Sequence, residues 1–421
     1  MGKGIYRARE LKEAPMSVLG DQYSGKRLVF AIDIAKGRPF GAVSSGSGEL
    51  AGIWKWDQPG DTRLLVESLM SLGASSVEVV MESTGTYGDA LREELRSRGA
   101  TIYQVGAKRV KDSQEVYDGV PSRHDAKSAA LLAWLHARGL SRRWEALSEE
   151  ARELRAELRV LELSKKSERV QLNRLEGLLA RHWPELLEVT LLERASVLET
   201  LKKYGGPRGV RRSPQACGHL LKQVGGNFLQ AERIESVVQS AKSTTGVAML
   251  KAEERLVRYL ASEARRSQKQ RKAMQRRVER LVEGRSELLC MAECVGKVTS
   301  AALVSLVGHP KLFESSRGFV KAMGLNLKEV SSGKRRGQLA ISKRGPGRAR
   351  YWLYMAALRM IQSDGVVQAW YEAKVQRDGG LKSKAITAVM RKLARALWHV
   401  GRGARFDSRK LFDVSCLELA G

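Results

Sequence analysis

Apolar residues fall along the chain in three different rhythms. Between residues 25 and 140 they come in short, nearly unbroken runs. Leu28-Val29-Phe30-Ala31-Ile32 and Val77-Glu78-Val79-Val80-Met81 have the pattern of strands covered on both faces. Residues 38–45 and 49–56 predict two more strands, joined through the turn Ser45-Gly46-Ser47-Gly48. Residues 62–72 and 87–98 predict helices, and 101–105 a further strand. Three leading strands followed by alternating helix and strand predict a mixed sheet with helices packed on it, an α/β domain over 25–145.

From about residue 146 the rhythm lengthens. Leu154, Leu158, Leu161, Leu172, Leu175 and Leu179 share one heptad register, which passes through Lys165 and Glu168 at its centre. The pattern fits a coiled-coil seam with an interrupted middle, or an amphipathic helix of a bundle. Gly205-Gly206-Pro207, Ser213-Pro214 and Gly225-Gly226 mark a looser insertion. A second long helix is expected over 252–283, with Leu256, Leu260, Met274, Val278 and Leu281 on its apolar side. The helical region spans 146–285 on this reading.

Residues 286–405 predict a third, mostly helical domain. Val295-Gly296-Lys297-Val298 places a glycine turn before a small-residue helix, as in one hairpin of a helix-hairpin-helix, whose turn amides can grip a phosphate. Gly296-Lys297 lacks the leading glycine of a P-loop, so no ATPase is implied. Residues 317–350 hold ten Lys/Arg and one acid, Glu329, and Ser331-Ser332-Gly333-Lys334-Arg335-Arg336-Gly337 reads as a basic loop.

Charge narrows the choice of partner. The 421 residues include 74 Lys and Arg against 46 Asp and Glu, a net charge of +28. That balance favours a polyanion, either nucleic acid or an anionic membrane surface. Residues 265–285 alone carry nine Lys/Arg and two Glu, a solvated helix face or a nucleic-acid contact. A hydrophobic fraction of 43% excludes a disordered basic tail, and 6% aromatic residues make stacking on many exposed rings a minor mode. No apolar run reaches about 18 residues, so no membrane span is expected. The opening residues, Met1 to Tyr6, read as neither a signal peptide nor a myristoylation motif. Cys217, Cys290, Cys294 and Cys416 are too sparse for a disulfide framework, which fits a reducing cytoplasm. Cys290 and Cys294, one helical turn apart, are metal ligands or small apolar helix residues.

Three carboxylates stand out by position. Asp33 ends the first apolar strand, Glu82 ends the second, and Asp125 opens a helix. A carboxylate at the tip of an apolar strand is costly unless something pairs with it. Two strand tips and a helix can bring three hard oxygens together, as Mg²⁺ and two-metal phosphoryl chemistry require. Turn and cap roles would also place acids at such positions. His124 beside Asp125 reads as a capping residue or as a modulator of such a site.

The ordered set of motifs resembles the DEDD transposases of the insertion-sequence one-ten family and the Piv-type DNA invertases. Ala31-Ile32-Asp33-Ile34-Ala35-Lys36, Met81-Glu82-Ser83-Thr84-Gly85 and His124-Asp125-Ala126-Lys127-Ser128-Ala129 resemble their N-terminal RuvC-like (RNase H-like) domain. Val295-Gly296-Lys297-Val298-Thr299, Gly324-Leu325-Asn326-Leu327, Ser331-Ser332-Gly333 and Ile341-Ser342-Lys343-Arg344-Gly345 resemble their C-terminal transposase domain. The likeness runs from about 27 to 400.

That resemblance implies a site-specific recombinase that moves an insertion element, acting on donor and target DNA and guided by a structured bridge RNA. It implies Mg²⁺ on the acids, a serine nucleophile that forms a 5′ phosphoserine link, and a composite site in a dimer or tetramer held partly by the coiled coil. Asp33, Glu82 and Asp125 fill the first three acidic positions. Ser128 stands where the fourth acid is expected, with Asp118 a more distant substitute. Ser332 corresponds to the nucleophile. Lys36, Lys127, Lys297, Lys334, Arg335, Arg336, Lys343 and Arg344 are the expected nucleic-acid contacts. The protein is expected in the bacterial cytoplasm, at the nucleoid when acting. Two rival readings remain: a RuvC-type nuclease or junction resolvase that uses metal-activated water, and a degenerate relative that only binds nucleic acid because Ser128 replaces an acid.

Overall fold

A computed structural model describes residues 6–413 apart from Thr84, Gly333 and Lys334, and describes residues 228, 330–332, 335, 336 and 338 through the backbone alone. The described residues form two compact units that divide after Leu147.

The first unit is built on a seven-stranded sheet. Its strands are β1 (Ala8–Glu10), β2 (Arg27–Asp33), β3 (Phe40–Ser45), β4 (Leu50–Lys55), β5 (Ser76–Glu82), β6 (Thr101–Val105) and β7 (Arg142–Arg143). They lie in the order β1-β4-β3-β2-β5-β6-β7. β2, β3 and β4 form an antiparallel meander, while β5 and β6 run parallel to β2. The short edge strands β1 and β7 lack the apolar runs that reveal the other five.

The unbroken apolar run of β2 follows from this position. Leu28, Phe30 and Ile32 enter a core with Trp54, Leu65 and Leu69, while Val29 and Ala31 enter another with Val80, Leu131 and Leu135. A strand alternates its side chains between two faces, and both faces of this one are covered. The covering helices are α1 (Thr62–Met70) and α2 (Asp89–Ser97) on the first face and α3 (Asp125–Ala137) on the second.

The second unit is mostly helical. Two long helices, α4 (Glu149–His182) and α5 (Lys251–Glu283), pack along each other. They run antiparallel, since Arg277 pairs with Glu157, Ser167 meets Ser267, and His182 lies beside Glu253. Leu154, Leu158 and Leu161 share a core with Val278 and Val282, and Leu172, Leu175 and Leu179 share one with Val257, Leu260 and Ala261. The heptad seam is therefore covered by a helix of the same chain. The break at its centre is a polar layer: Glu168 and Ser164 are buried, and Glu168 accepts from Arg271 at 2.6 Å. Five shorter helices between Pro184 and Lys242 form a lobe on one end of the pair.

The expected boundary near 285 does not separate compact units. The α4–α5 pair shares a core with α6 (Ser286–Val295), α7 (Lys297–Val307) and α8 (Gly347–Ser363), through Leu161, Val282, Leu288, Ala301 and Trp352. A further core joins α6, α8 and α9 (Lys382–Val400). A hairpin of β8 (Leu327–Ser332) and β9 (Arg335–Ile341) projects between α7 and α8 in the sequence. Of the stretch read as a basic loop, Ser331 and Ser332 end β8 and Arg335, Arg336 and Gly337 open β9, while Gly333 and Lys334 lie outside the described residues. No single helix among the described residues is long and apolar enough to cross a membrane.

Candidate active site

Parallel pairing of β2 with β5 sets Ile32 against Met81, so the next residues, Asp33 and Glu82, sit at the same end of adjacent strands. This is the carboxyl end of the parallel strands, where sites in α/β sheets collect. Helix α3 packs on β2 and β3 and carries Asp125 in its first turn and Ser128 one turn later. The Ser128 side chain lies close enough to the Asp33 carboxyl to favour its charged form.

The electrostatics of the group centre on Asp33. Burial pushes its carboxyl up to about 6, the negative charges of Asp125 and Glu82 add to the rise, and the Ser128 side chain opposes it. Like charges held this close favour protonation or a bound cation. The donors are all oxygens, which suits a hard divalent ion. Among the described residues no three His, Cys, Asp or Glu side chains converge on one point. Ser128 and water would have to complete a coordination shell.

Beside this group lies a network that the sequence did not reveal. Lys127 is 2% exposed. Its Nζ donates to Asp118 Oδ1 at 2.6 Å and to the Val120 carbonyl. Tyr6 donates its hydroxyl to Asp118 Oδ2 at 2.9 Å, and the Val120 amide donates to Asp118 Oδ1. Asp118 is thus held by Lys127 and Tyr6, away from the fourth-acid role. Lys127 is corrected from a nucleic-acid contact to an interior anchor. His124 caps α3, accepting from the Lys127 amide at 3.2 Å. A lysine two residues after Asp125 looks surface-exposed in the sequence because its partner is nine residues away, at the end of a short helix, Gln114–Asp118.

The remaining expected contacts are scattered. Lys36, Lys343 and Arg344 are exposed, whereas Lys297 pairs with Glu283. Ser332 ends β8, with its backbone opposite Arg335. Lys334 and the side chains of Ser332, Arg335 and Arg336 lie outside the described residues. Cys290 and Cys294 pack against the C-terminal core, and burial pushes the Cys294 thiol up to about 12.

The base of the hairpin explains two of its motifs. Asn326 and Ser342 share a side-chain hydrogen bond, and the Lys343 amide donates to the Gly324 carbonyl. A Cβ on Gly345 would lie 2.3 Å from the Ala322 carbonyl oxygen, so backbone passes directly against backbone there.

Comparison with family models gives two matches in chain order. A DEDD-type transposase model of the IS110 group matches residues 30–184, and the model described as the transposase IS116/IS110/IS902 family matches residues 286–372. Sheet, acidic group and comparison together define a DNA transposase. The chain belongs to the IS110 family of DEDD transposases, enzymes that act on the DNA of a mobile element. Both matches are to transposases; neither is to a serine-recombinase family. Comparison with curated proteins gives no match.

Proposed function

We propose that the first unit is a RuvC-like nuclease-type domain that holds Mg²⁺ on Asp33, Glu82 and Asp125, with Ser128 in place of a fourth acid. The observation that carries this reading is the mutual influence of Asp33 and Glu82, at the carboxyl ends of β2 and β5, and Asp125, at the start of α3. The strand order β4-β3-β2-β5-β6, a meander followed by two parallel strands, supports the RuvC-like reading. When bound, the cation would neutralise charge and polarise a phosphoryl oxygen. Ser128 sits beside Asp33, and Asp125 supplies a third carboxylate from the first turn of α3.

The resemblance adds Ser332 as the nucleophile. Its Oγ would attack the scissile phosphorus and lose its proton to solvent base. The P–O3′ bond breaks, the 3′ oxygen takes up a proton, and a 5′ phosphoserine link holds the broken strand. The place of Ser332 at the end of β8, followed in the chain by Lys334, Arg335 and Arg336, supports this role. On the same reading a bridge RNA selects donor and target by base pairing, while the protein holds backbone and shape. The net charge of +28 supports two polyanionic partners. The working form would be a homodimer or tetramer, in the cytoplasm at the nucleoid.

Excision of the native element in cells tests the reading. Asp33→Ala, Glu82→Ala, Asp125→Ala and Ser332→Ala should each abolish excision, and wild type should leave a serine-dependent protein–DNA adduct on denaturing gels. Full excision by Ser332→Ala, with free 5′-phosphate ends and no adduct, would establish the metal–water nuclease instead. Excision by Ser128→Asp but not by wild type would mark a degenerate enzyme that only binds.

A further inference from the structure

The second unit contains a groove of about 760 Å³ between α4, α5 and the start of α8. Its acids are largely committed. Glu168 holds Arg271, while Glu162 takes both Arg348 and the Trp352 indole. The cations of α4 are not so matched: among the described residues, Arg159, Lys165, Lys166 and Arg169 have no ion-pair partner. Lys165 lies over the Trp352 ring at 4.3 Å, where burial and the charges of Arg271 and Arg359 depress its ammonium. Burial, then Arg159 and Arg155, lower the Arg348 guanidinium too. The groove thus concentrates positive charge that repels itself until an anion enters.

Its apolar rim selects among anions. Tyr351 and Leu163 are each 52% exposed beside these cations. A duplex keeps its rings inside and would offer this rim only phosphates. An unpaired strand can set phosphates on the cations and turn a base onto Tyr351.

We infer that this groove binds an unpaired DNA strand, with Lys166 and Arg169 engaging phosphates and Tyr351 stacking against a base. The choice of DNA rests on the chain being a DNA transposase, whose reaction opens strands, and not on the proposed metal or nucleophile.

The test is fluorescence binding by the full chain of an oligo(dT) of roughly 16 nucleotides, a DNA duplex of equal length and an oligo(U). The proteins are wild type, Lys166→Glu with Arg169→Glu, Tyr351→Ala, and a distant reversal of equal charge, Arg211→Glu with Arg212→Glu. Thermal melts confirm that each is folded. The groove reversal should weaken oligo(dT) binding at least about tenfold more than the distant one. Tyr351→Ala should weaken it roughly tenfold while leaving the duplex nearly unchanged. Equal losses from both reversals, no effect of Tyr351→Ala, or an equal loss on duplex would overturn the inference. Preferential loss of oligo(U) binding would assign the groove to RNA and overturn the DNA assignment. Asp33→Ala should bind oligo(dT) like wild type, so failure at the active site and failure at the groove read out separately.

Discussion

Lys127 Nζ lies 2.6 Å from Asp118 Oδ1, on the same helix turn that presents Asp125 and Ser128. The pair ties the start of that helix to the segment before it. Lys127→Met would leave a largely buried carboxylate without its cation, a loss of about 3 kcal/mol. Lys127→Met with Asp118→Asn should recover part of it in urea unfolding. The Lys127 hydrogen bond holds the Asp118 carboxyl below its ordinary 3.8. Its contribution is therefore present above the unfolded value and lost as pH falls through the folded one. Equal stabilities of wild type and Lys127→Met at neutral pH would show that the pair anchors nothing.

Asp33 has the opposite sign. Folded, its carboxyl keeps a proton up to about 6; unfolded, it releases it near 3.8. The folded state holds more protons between those values, so the metal-free protein loses stability as pH rises from about 4 to 6. Asp33→Asn removes that loss. In EDTA at about pH 7.5 it should melt above wild type, and added Mg²⁺ should raise the wild-type Tm while leaving the variant unmoved. A Tm that Mg²⁺ shifts equally in both proteins would count against Asp33 as a ligand.

Leu161, fully buried between the long helices, tests which chain covers the seam. Leu161→Ala should cost about 2–5 kcal/mol in chemical denaturation. Light scattering should report an unchanged oligomeric mass. A change in mass without a change in stability would place the seam between chains.

Gly345→Ala would drive a methyl into the Ala322 carbonyl and the Gly324 amide, contacts of 2.3 and 2.7 Å from Cβ. The neighbours are backbone and cannot step aside cheaply. The hairpin should lose its register, with excision reduced at least about tenfold while the far-ultraviolet spectrum is retained. Normal excision by this variant would show that the hairpin's exact seating is unimportant.

The sequence made visible what is local. The runs 28–32 and 77–81 reveal strands because both faces of the sheet are covered, and Gly296 marks a true helix break with φ of 83°. The two long helices were legible from their heptads and charges. What escaped depends on distant partners. β1 is recognisable only by its pairing with β4. Lys127 is buried with its ammonium on Asp118 and the Val120 carbonyl, and nothing in its own neighbourhood signals it. A heptad seam says that a helix needs a partner and leaves open which one. The acidic group was legible in part: strand ends identify Asp33 and Glu82, but only the fold brings Ser128 onto Asp33.

The antiparallel pairing of the long helices also orders the birth of the protein. Leu154 shares its core with Val282, so the earliest part of the seam waits for the latest part of its cover. At about 5–20 residues per second, a ribosome leaves that leucine stripe open for several seconds or more. Any chain cut short before Lys251 would carry the stripe permanently. Truncated products of a broken element would therefore be sticky toward one another and toward chaperones.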